Sequence, residues 1–263
     1  MGSSHACYTH CKINMDKIFA LADCNNFYAS CERIFNPAAR KRPVIVLSNN
    51  DGCVVARSAE AKEIGIPFAA PYFKIRELAE AHNTAVFSSN YALYADISQR
   101  VMSVLSLFSP DVEVYSIDEA FLSLTGIRSG LYDYGEDIRS TVMKWTGIPV
   151  SVGIGSTKTL AKAAAHLAKK DSSCDGVLDM TAGDSMRYLG RMSAGDIWGI
   201  GRAYAEKLRG RGIYTAADFV LTDESWVRRN MTVTGLKTLM EMRGRPCMGI
   251  DDAPAPKKAI VSS

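Results

Sequence analysis

Hydrophobic positions fall along the chain in short blocks, and their spacing predicts the elements. The unbroken run Ile18–Ala22, ending at Asp23, predicts a buried strand. From Asn25 to Ile34, Phe27, Cys31 and Ile34 share one helical face, and Pro43–Leu47 predicts a second strand. Ala56–Ile64 predicts a helix stopped by Gly65, with Pro67 just beyond. Helices are predicted again at Lys74–His82 and Tyr91–Leu107. Val112–Leu124, partly alternating and rich in β-branched and aromatic residues, predicts a strand. Tyr132–Trp145 predicts a helix and Val150–Gly155 a strand, after which Ser156 or Thr157 caps an alanine-rich helix running to Lys170. Past Asp175-Gly176 the pattern changes to short helical pieces with glycine pairs, through Gly244. Strands and helices mixed without strict βαβ alternation favour an α+β domain, followed by a small helical one. Residues 247–263 hold Pro254 and Pro256 without apolar periodicity and read as a linker. Residues 1–14 read as a tail: His5, Cys7, His10 and Cys11 are metal-capable types, but their spacing fits no common zinc pattern.

Composition narrows the class. The 263 residues suit roughly two domains, and 47% hydrophobic with 22% charged residues excludes a disordered or fibrous chain. No apolar run reaches the length of a membrane span. Seven cysteines, an odd number at scattered spacing, suit free thiols in a reducing cytoplasm. The net charge of +3 is too small to indicate nucleic acid, but its distribution is uneven. Seven Lys/Arg face three acids between Arg40 and Arg76, four lysines and no acid lie between Thr157 and Lys170, and nine bases face six acids between Asp196 and Arg245. Such blocks are either solvated faces or the electrostatic footprint to which phosphates respond.

Three acids are delivered by apolar strands. Asp23 ends the first strand, and Asp118-Glu119 sit within Tyr115-Ser-Ile-Asp-Glu-Ala-Phe121. A carboxylate in an otherwise buried strand is costly unless paired or bound to a cation, and clustered carboxylates on Mg2+ are the usual device for phosphoryl chemistry. The bland alternative is that each acid is solvated or meets a lysine. Adjacent strand residues face opposite ways, so Asp118 and Glu119 can share a metal only at a twist, bulge or strand end. Lys158, Lys162, His166 and Lys169 form one stripe of the alanine-rich helix, with Leu160, Ala164 and Leu167 opposite for packing. A lysine stripe beside an acidic site suits a triphosphate, though a solvated amphipathic face is the commoner use. Gly199-Ile-Gly201, between two short helices, is able to bring main-chain N–H groups to a phosphate oxygen or simply to pack a helix turn.

Taken together these segments resemble a family. Ala22-Asp-Cys-Asn-Asn-Phe-Tyr-Ala-Ser-Cys-Glu32, Val46-Leu-Ser-Asn-Asn-Asp-Gly-Cys53, Ser88-Ser-Asn-Tyr-Ala-Leu-Tyr-Ala-Asp96, Tyr115–Phe121, Gly153–Lys162 and Asp196–Gly201 follow, in order, the motifs of the Y-family DNA polymerases in their UmuC-like branch. The resemblance runs from about Asp16 to the C-terminus. It implies an α+β palm with fingers (palm 16–26 and 86–178, fingers 27–85) and a small all-helical thumb with a helix-hairpin-helix element (179–246). Residues 1–15 remain a tail, and 247–263 a linker to a little-finger domain that this chain lacks. Asp23, Asp118 and Glu119 match the carboxylates that hold two Mg2+ ions, with the backbone carbonyl of Cys24 as a further metal contact. Tyr28 matches the steric-gate aromatic beneath the incoming sugar, with Phe27 beside it. Lys169 matches a lysine on the triphosphate. Lys62 and Ala59 stand where many relatives outside the branch carry an arginine and a tyrosine, which leaves the fingers-side phosphate contacts open. Gly199 and Gly201, with Arg202 next to them, match the thumb hairpin on duplex backbone.

The implied activity is template-directed addition of dNTP to a primer 3′-hydroxyl, error-prone and tolerant of damaged templates in the SOS response. UmuD′-like protein and RecA are the implied partners. The sliding clamp is expected to go unbound, since the tail that meets it belongs to the missing region. Two other readings remain: a DNA-binding remnant with little or no catalysis, and a palm-fold nucleotide cyclase or metal-dependent nuclease. The hairpin and Phe27-Tyr28 argue against the last.

Overall fold

The computed structural model describes residues 17–49, 52–127 and 130–250. The metal-capable types from His5 to Cys11, Asp51 of one matching motif and most of the expected linker lie outside them. Among the described residues no helix is long and apolar enough to cross a membrane.

A five-stranded sheet in the order β5-β6-β1-β7-β8 organises the larger unit, from β1 (Phe19–Cys24), β5 (Val112–Val114), β6 (Glu119–Ser123), β7 (Val150–Gly155) and β8 (Val177–Asp179). β1 runs antiparallel to both neighbours, while β7 and β8 are parallel. Its central place explains the unbroken apolar run. Ala20, Ala22 and Cys24 face one core with Ala120 and Leu122, against α4 (Tyr91–Leu105) and α5 (Leu131–Thr146). Phe19, Leu21 and Phe121 face the other way, onto Ala161 and Ala165 of α6 (Lys158–Lys170). The two-residue period therefore carries Asp23 and Glu119 to the α6 face.

Two glycines let α6 come that close. A Cβ on Gly153 would lie 1.9 Å from the Ala165 nitrogen and 2.3 Å from the Ala161 oxygen, and one on Gly155 would lie 2.8 Å from the Ala161 nitrogen. Thr157 is the cap: its hydroxyl accepts from the Leu160 amide and donates to the Glu241 carbonyl. The other side of α6, with Leu160, Ala164 and Leu167, packs into the core of the C-terminal helices as the spacing predicts. These helices are α7 (Ser185–Leu189), α8 (Arg202–Gly210), α9 (Ala216–Val220) and α10 (Glu224–Met242).

A second sheet, ordered β3-β2-β4, lies in the segment expected to be fingers: β2 (Val44–Leu47), β3 (Val54–Arg57) and β4 (Ala85–Ser88). α1 (Phe27–Phe35), α2 (Ala59–Glu63) and α3 (Tyr72–Ala81) complete it.

Four expectations are corrected. The predicted Ala56–Ile64 helix starts later: Ala56 and Arg57 belong to strand Val54–Arg57, which pairs with β2, and Ser58 then caps a helix of a single turn and a half through the Ala61 amide. The predicted strand Val112–Leu124 is a hairpin, because Tyr115 and Ser116 both donate to the Glu119 carbonyl and fold the chain back. β4 and β8 were not predicted, and the expected fingers–palm boundary at 85/86 falls inside β4. The first of the two short helices around Gly199-Ile-Gly201 is a single 3-10 turn, Ala194–Asp196.

Candidate active site

The hairpin resolves the difficulty posed by adjacent acids. Glu119 opens β6 as the direct register partner of Asp23 on β1, both on the α6 face. Asp118 is still in the turn, where its amide donates to Ser116 Oγ and its Oδ1 accepts from that hydroxyl at 2.7 Å. The Cys24 amide donates to the Asp118 carbonyl (2.8 Å), which ties the turn to the end of β1. Asn26 then takes a left-handed conformation (φ 51°), tolerated by asparagine, and starts α1 so that Phe27 and Tyr28 follow directly.

The α6 stripe divides its work. Lys169 Nζ is 2.7 Å from Asp23 Oδ1, and Lys162 Nζ is 3.0 Å from Glu119 Oε2. His166 faces Asp196 of the thumb side at 3.3 Å. Lys158 departs from the expected triphosphate role: it is buried, paired with Glu113 and placed over the Phe121 ring at 5.1 Å. At the first position of a helix it needs that partner, because the macrodipole disfavours a cation there.

Glu119 senses the other two acids. Burial raises the Glu119 carboxyl above its ordinary range; Lys162 opposes this, and Asp23 and Asp118 add to it. Burial, then Asp118 and Asp23, push the Cys24 thiol well up, so it is a neutral packing group at the site. Three hard oxygen donors suit a divalent cation such as Mg2+. Asp23 and Glu119 share a face and Asp118 lies at the adjoining turn, so the donor set fits the ion in chemistry. As they stand the side chains do not close on one point: among the described residues no three His, Cys, Asp or Glu side chains form a ready metal cluster.

Beside the acids opens a cavity of about 420 Å³, lined among others by Cys24, Tyr28, Arg57, Lys62, Asp118 and Lys169. Tyr28 stacks on Tyr94 at 4.1 Å and 15°, Tyr91 stands edge-on to both, and Tyr94 donates to Glu32 at 2.7 Å. Lys62 donates to Asn26 Oδ1 at 2.6 Å, and its ammonium is pushed below its ordinary range by burial, then by Lys169 and Arg57. Three mutually repelling cations around one cavity favour a polyanion. Ala59 is exposed on α2 and does not line this cavity. Gly199 takes a φ of +88°, and a Cβ there would lie 3.0 Å from Thr238 Oγ1; Arg202 is exposed and paired with Glu206.

Sequence reasoning missed Arg57, Ser116, Tyr91, Tyr94 and the aromatic set Tyr115, Phe121 and Trp198. Arg57 lay within a block counted as basic and was assigned to a helix. Both tyrosines lie inside a motif that carried the resemblance, yet only their packing reveals a task.

A sheet with acids on its central strands, a small cationic fingers sheet and a helical thumb define the class: this is the fold of the Y-family DNA polymerases. DinB from Sulfolobus solfataricus matches with a TM-score of 0.72 over 89% of this chain and 69% of that one, at 23% identity. The insertion ternary complex of Dbh DNA polymerase matches with 0.76 over 89% and 70%, also at 23%. Within that class the chain belongs to the impB/mucB/samB family, whose model matches residues 22–166. UmuC of Salmonella typhimurium is 49% identical over 252 residues, covering 94% of this chain and 59% of UmuC. MucB of Escherichia coli is 40% identical over 249 residues, at 94% and 59%. DNA polymerase IV of Corynebacterium diphtheriae is 31% identical over 243 residues, at 90% and 52%. The chain thus spans between about half and three-fifths of the length of these relatives.

Proposed function

We propose that this chain is the palm, fingers and thumb core of a translesion DNA polymerase that adds dNTP to a primer 3′-hydroxyl under template direction. The observation that carries the reading is a cavity lined by Tyr28, Arg57, Lys62, Asp118 and Lys169, which Lys169 joins to Asp23, the register partner of Glu119 on the neighbouring strand.

In this reading Asp23, Asp118, Glu119 and the Cys24 carbonyl hold two Mg2+ ions, whose chemistry is to offset charge on the attacking and leaving oxygens. Lys169, Lys62 and Arg57 hold the triphosphate, and their mutual repulsion is relieved by it. Tyr28, backed by Tyr94, lies under the sugar and excludes a 2′-hydroxyl, with Phe27 beside it as a buried core residue. The hairpin Gly199-Ile-Gly201 and Arg202 meet the duplex backbone, which positions DNA without reading its sequence. The resemblance to the UmuC-like branch extends the proposal to error-prone bypass in the SOS response, with a UmuD′-like protein and RecA as partners.

Primer extension with Mg2+ and dNTP, beside a separate duplex-binding measurement, tests the reading. Extension by the wild type, abolished in Asp23→Asn and Asp118→Asn while binding persists, is the expected result. Binding without extension by the wild type would leave a DNA-binding protein, and nucleotide turnover without DNA would indicate a cyclase.

A further inference from the structure

Trp198 brings the thumb to the carboxylate row, in a pocket that it lines with Asp23, Glu119 and Lys162. Trp198, at the entry to the hairpin, donates from Nε1 to the Tyr115 hydroxyl at 3.2 Å. Its ring meets Tyr115 edge-on at 5.5 Å and tilts over Phe121 at 5.9 Å. Lys162 enters this group of rings from α6. Its Nζ lies 4.3 Å from the Tyr115 centroid and 5.4 Å from that of Trp198, while 3.0 Å from Glu119 Oε2.

The neighbours of Lys162 differ in how firmly they are held. Tyr115 donates its amide to the Glu119 carbonyl at 3.0 Å, so this ring and this carboxylate share one tight turn. Phe121 is fully buried, and Lys158 lies over it, itself buried and paired with Glu113. Lys162 is more open, with 22% of its side chain exposed. A lysine is a compact charge on a flexible stem, able to exchange partners with no backbone movement, and partial desolvation strengthens both of the attractions on offer.

We propose that Lys162, caged by Tyr115 and Trp198, is a positioning residue that couples the thumb hairpin to the Glu119 carboxylate. The proposal rests on the reading above, in which Glu119 helps to hold a divalent cation and the hairpin meets DNA backbone. A cation taken up beside Glu119 repels the Lys162 ammonium, and the two aromatic faces give that ammonium a second partner within the same reach. Trp198 belongs to the hairpin, so a ligand that shifts the hairpin changes how well the cage holds Lys162. Such coupling is reciprocal: DNA and the cation alter one another's affinity by the same factor.

Tryptophan emission of the full chain reads the cage directly. Titration of the wild type with Mg2+ is expected to give a saturable change in emission, absent from Trp198→Phe and from Lys162→Met. Lys162→Arg is expected to retain the change with a shifted midpoint. Calorimetric Mg2+ affinity with and without a short duplex is expected to differ about fivefold or more in the wild type and by less than about twofold in Lys162→Met and Trp198→Leu. Should Trp198→Leu fail to fold, Tyr115→Phe, which keeps the ring and removes the hydrogen bond, is expected to reduce the coupling instead. An emission change that survives in Lys162→Met, or undiminished coupling in Lys162→Met and either cage variant, overturns the proposal. Mg2+ heats that do not depend on Asp23 would overturn the carboxylate reading itself, whereas heats that depend on Asp23 without an emission change would remove only the coupling.

Discussion

The palm side of the site rests on strand register, whereas the fingers side rests on a small sheet and single side-chain interactions. Asp23 and Glu119 are placed by five consecutive pairs between β1 and β6 and by a helix packed directly on glycine backbone. Lys62 and Arg57 instead stand on a short helix and a four-residue strand, Lys62 donating to Asn26 and Arg57 to the Ile66 carbonyl while it lies over the Phe68 ring. Phe68 and Phe73 nearby are 64% and 77% exposed. The carboxylates are thus held by more of the fold than the cations of the cavity. On the proposed function, that difference suits chemistry that keeps its geometry while the shape of the nascent pair varies.

The comparison breaks most readily at the glycines. Gly153→Ala is expected to cost about 3 kcal/mol or more, or to prevent folding, because α6 must move away from the sheet. Gly65→Ala, at a φ of +83° with open space around it, is expected to cost only about 1–2 kcal/mol. Urea midpoints of the two variants check this, and equal costs would mean that the two sides are held alike.

Next in size is the kinetic contrast. On the proposed function, Asp23→Asn is expected to lower kcat by about a thousandfold or more, since it would remove a ligand used in the transition state. Lys62→Met is expected chiefly to raise KM for dNTP, by about tenfold, the signature of weakened ground-state binding. Steady-state extension of one nucleotide separates them.

Tyr28→Ala is expected to lower the dNTP-to-rNTP ratio of kcat/KM by about ten- to a hundredfold, since rejecting one hydroxyl by shape is worth no more. Tyr94→Leu, which removes the stacking partner, is expected to do so by a smaller factor, and Tyr94→Phe to change the ratio little. A uniform loss with both substrates would make Tyr28 a packing residue.

The smallest expected effect concerns His166. Burial and Lys170 hold its imidazole below the ordinary 6.5, against Asp196. The unfolded chain therefore takes up a proton more readily, and the stabilising contribution is present above about pH 6.5 and lost as pH falls through the depressed folded value. His166→Gln is expected to flatten that acid limb in urea midpoints measured from pH 7.5 down to 5.

What could be read in advance follows the same division. β1 and α6 were legible because each must satisfy one environment over many residues: a run buried on both faces, and an alanine helix wedged between two cores. β3, β4 and β8 were not, since three or four residues carry no period and their pairing partners are distant. The turn at Tyr115–Asp118 was hidden because it has neither glycine nor proline, and its aromatic and β-branched residues read as strand. For the carboxylates, residue type and position were enough to single out Asp23 and Glu119, which the register sets side by side. The stack of Tyr28 on Tyr94 and the cage around Lys162 join residues far apart along the chain, and such pairs exist only once the sheet has formed.

The central place of β1 also sets an order of events during synthesis. Its partner β7 leaves the ribosome only after more than a hundred further residues, roughly ten seconds later at ordinary elongation rates. Until β6 emerges Phe19–Cys24 is an apolar segment with both backbone edges unsatisfied, and one edge stays open until β7 follows, the kind of exposed strand that pairs with other chains. The acidic pair Asp23–Glu119 comes together only when β6 joins β1, after roughly a hundred intervening residues have been made.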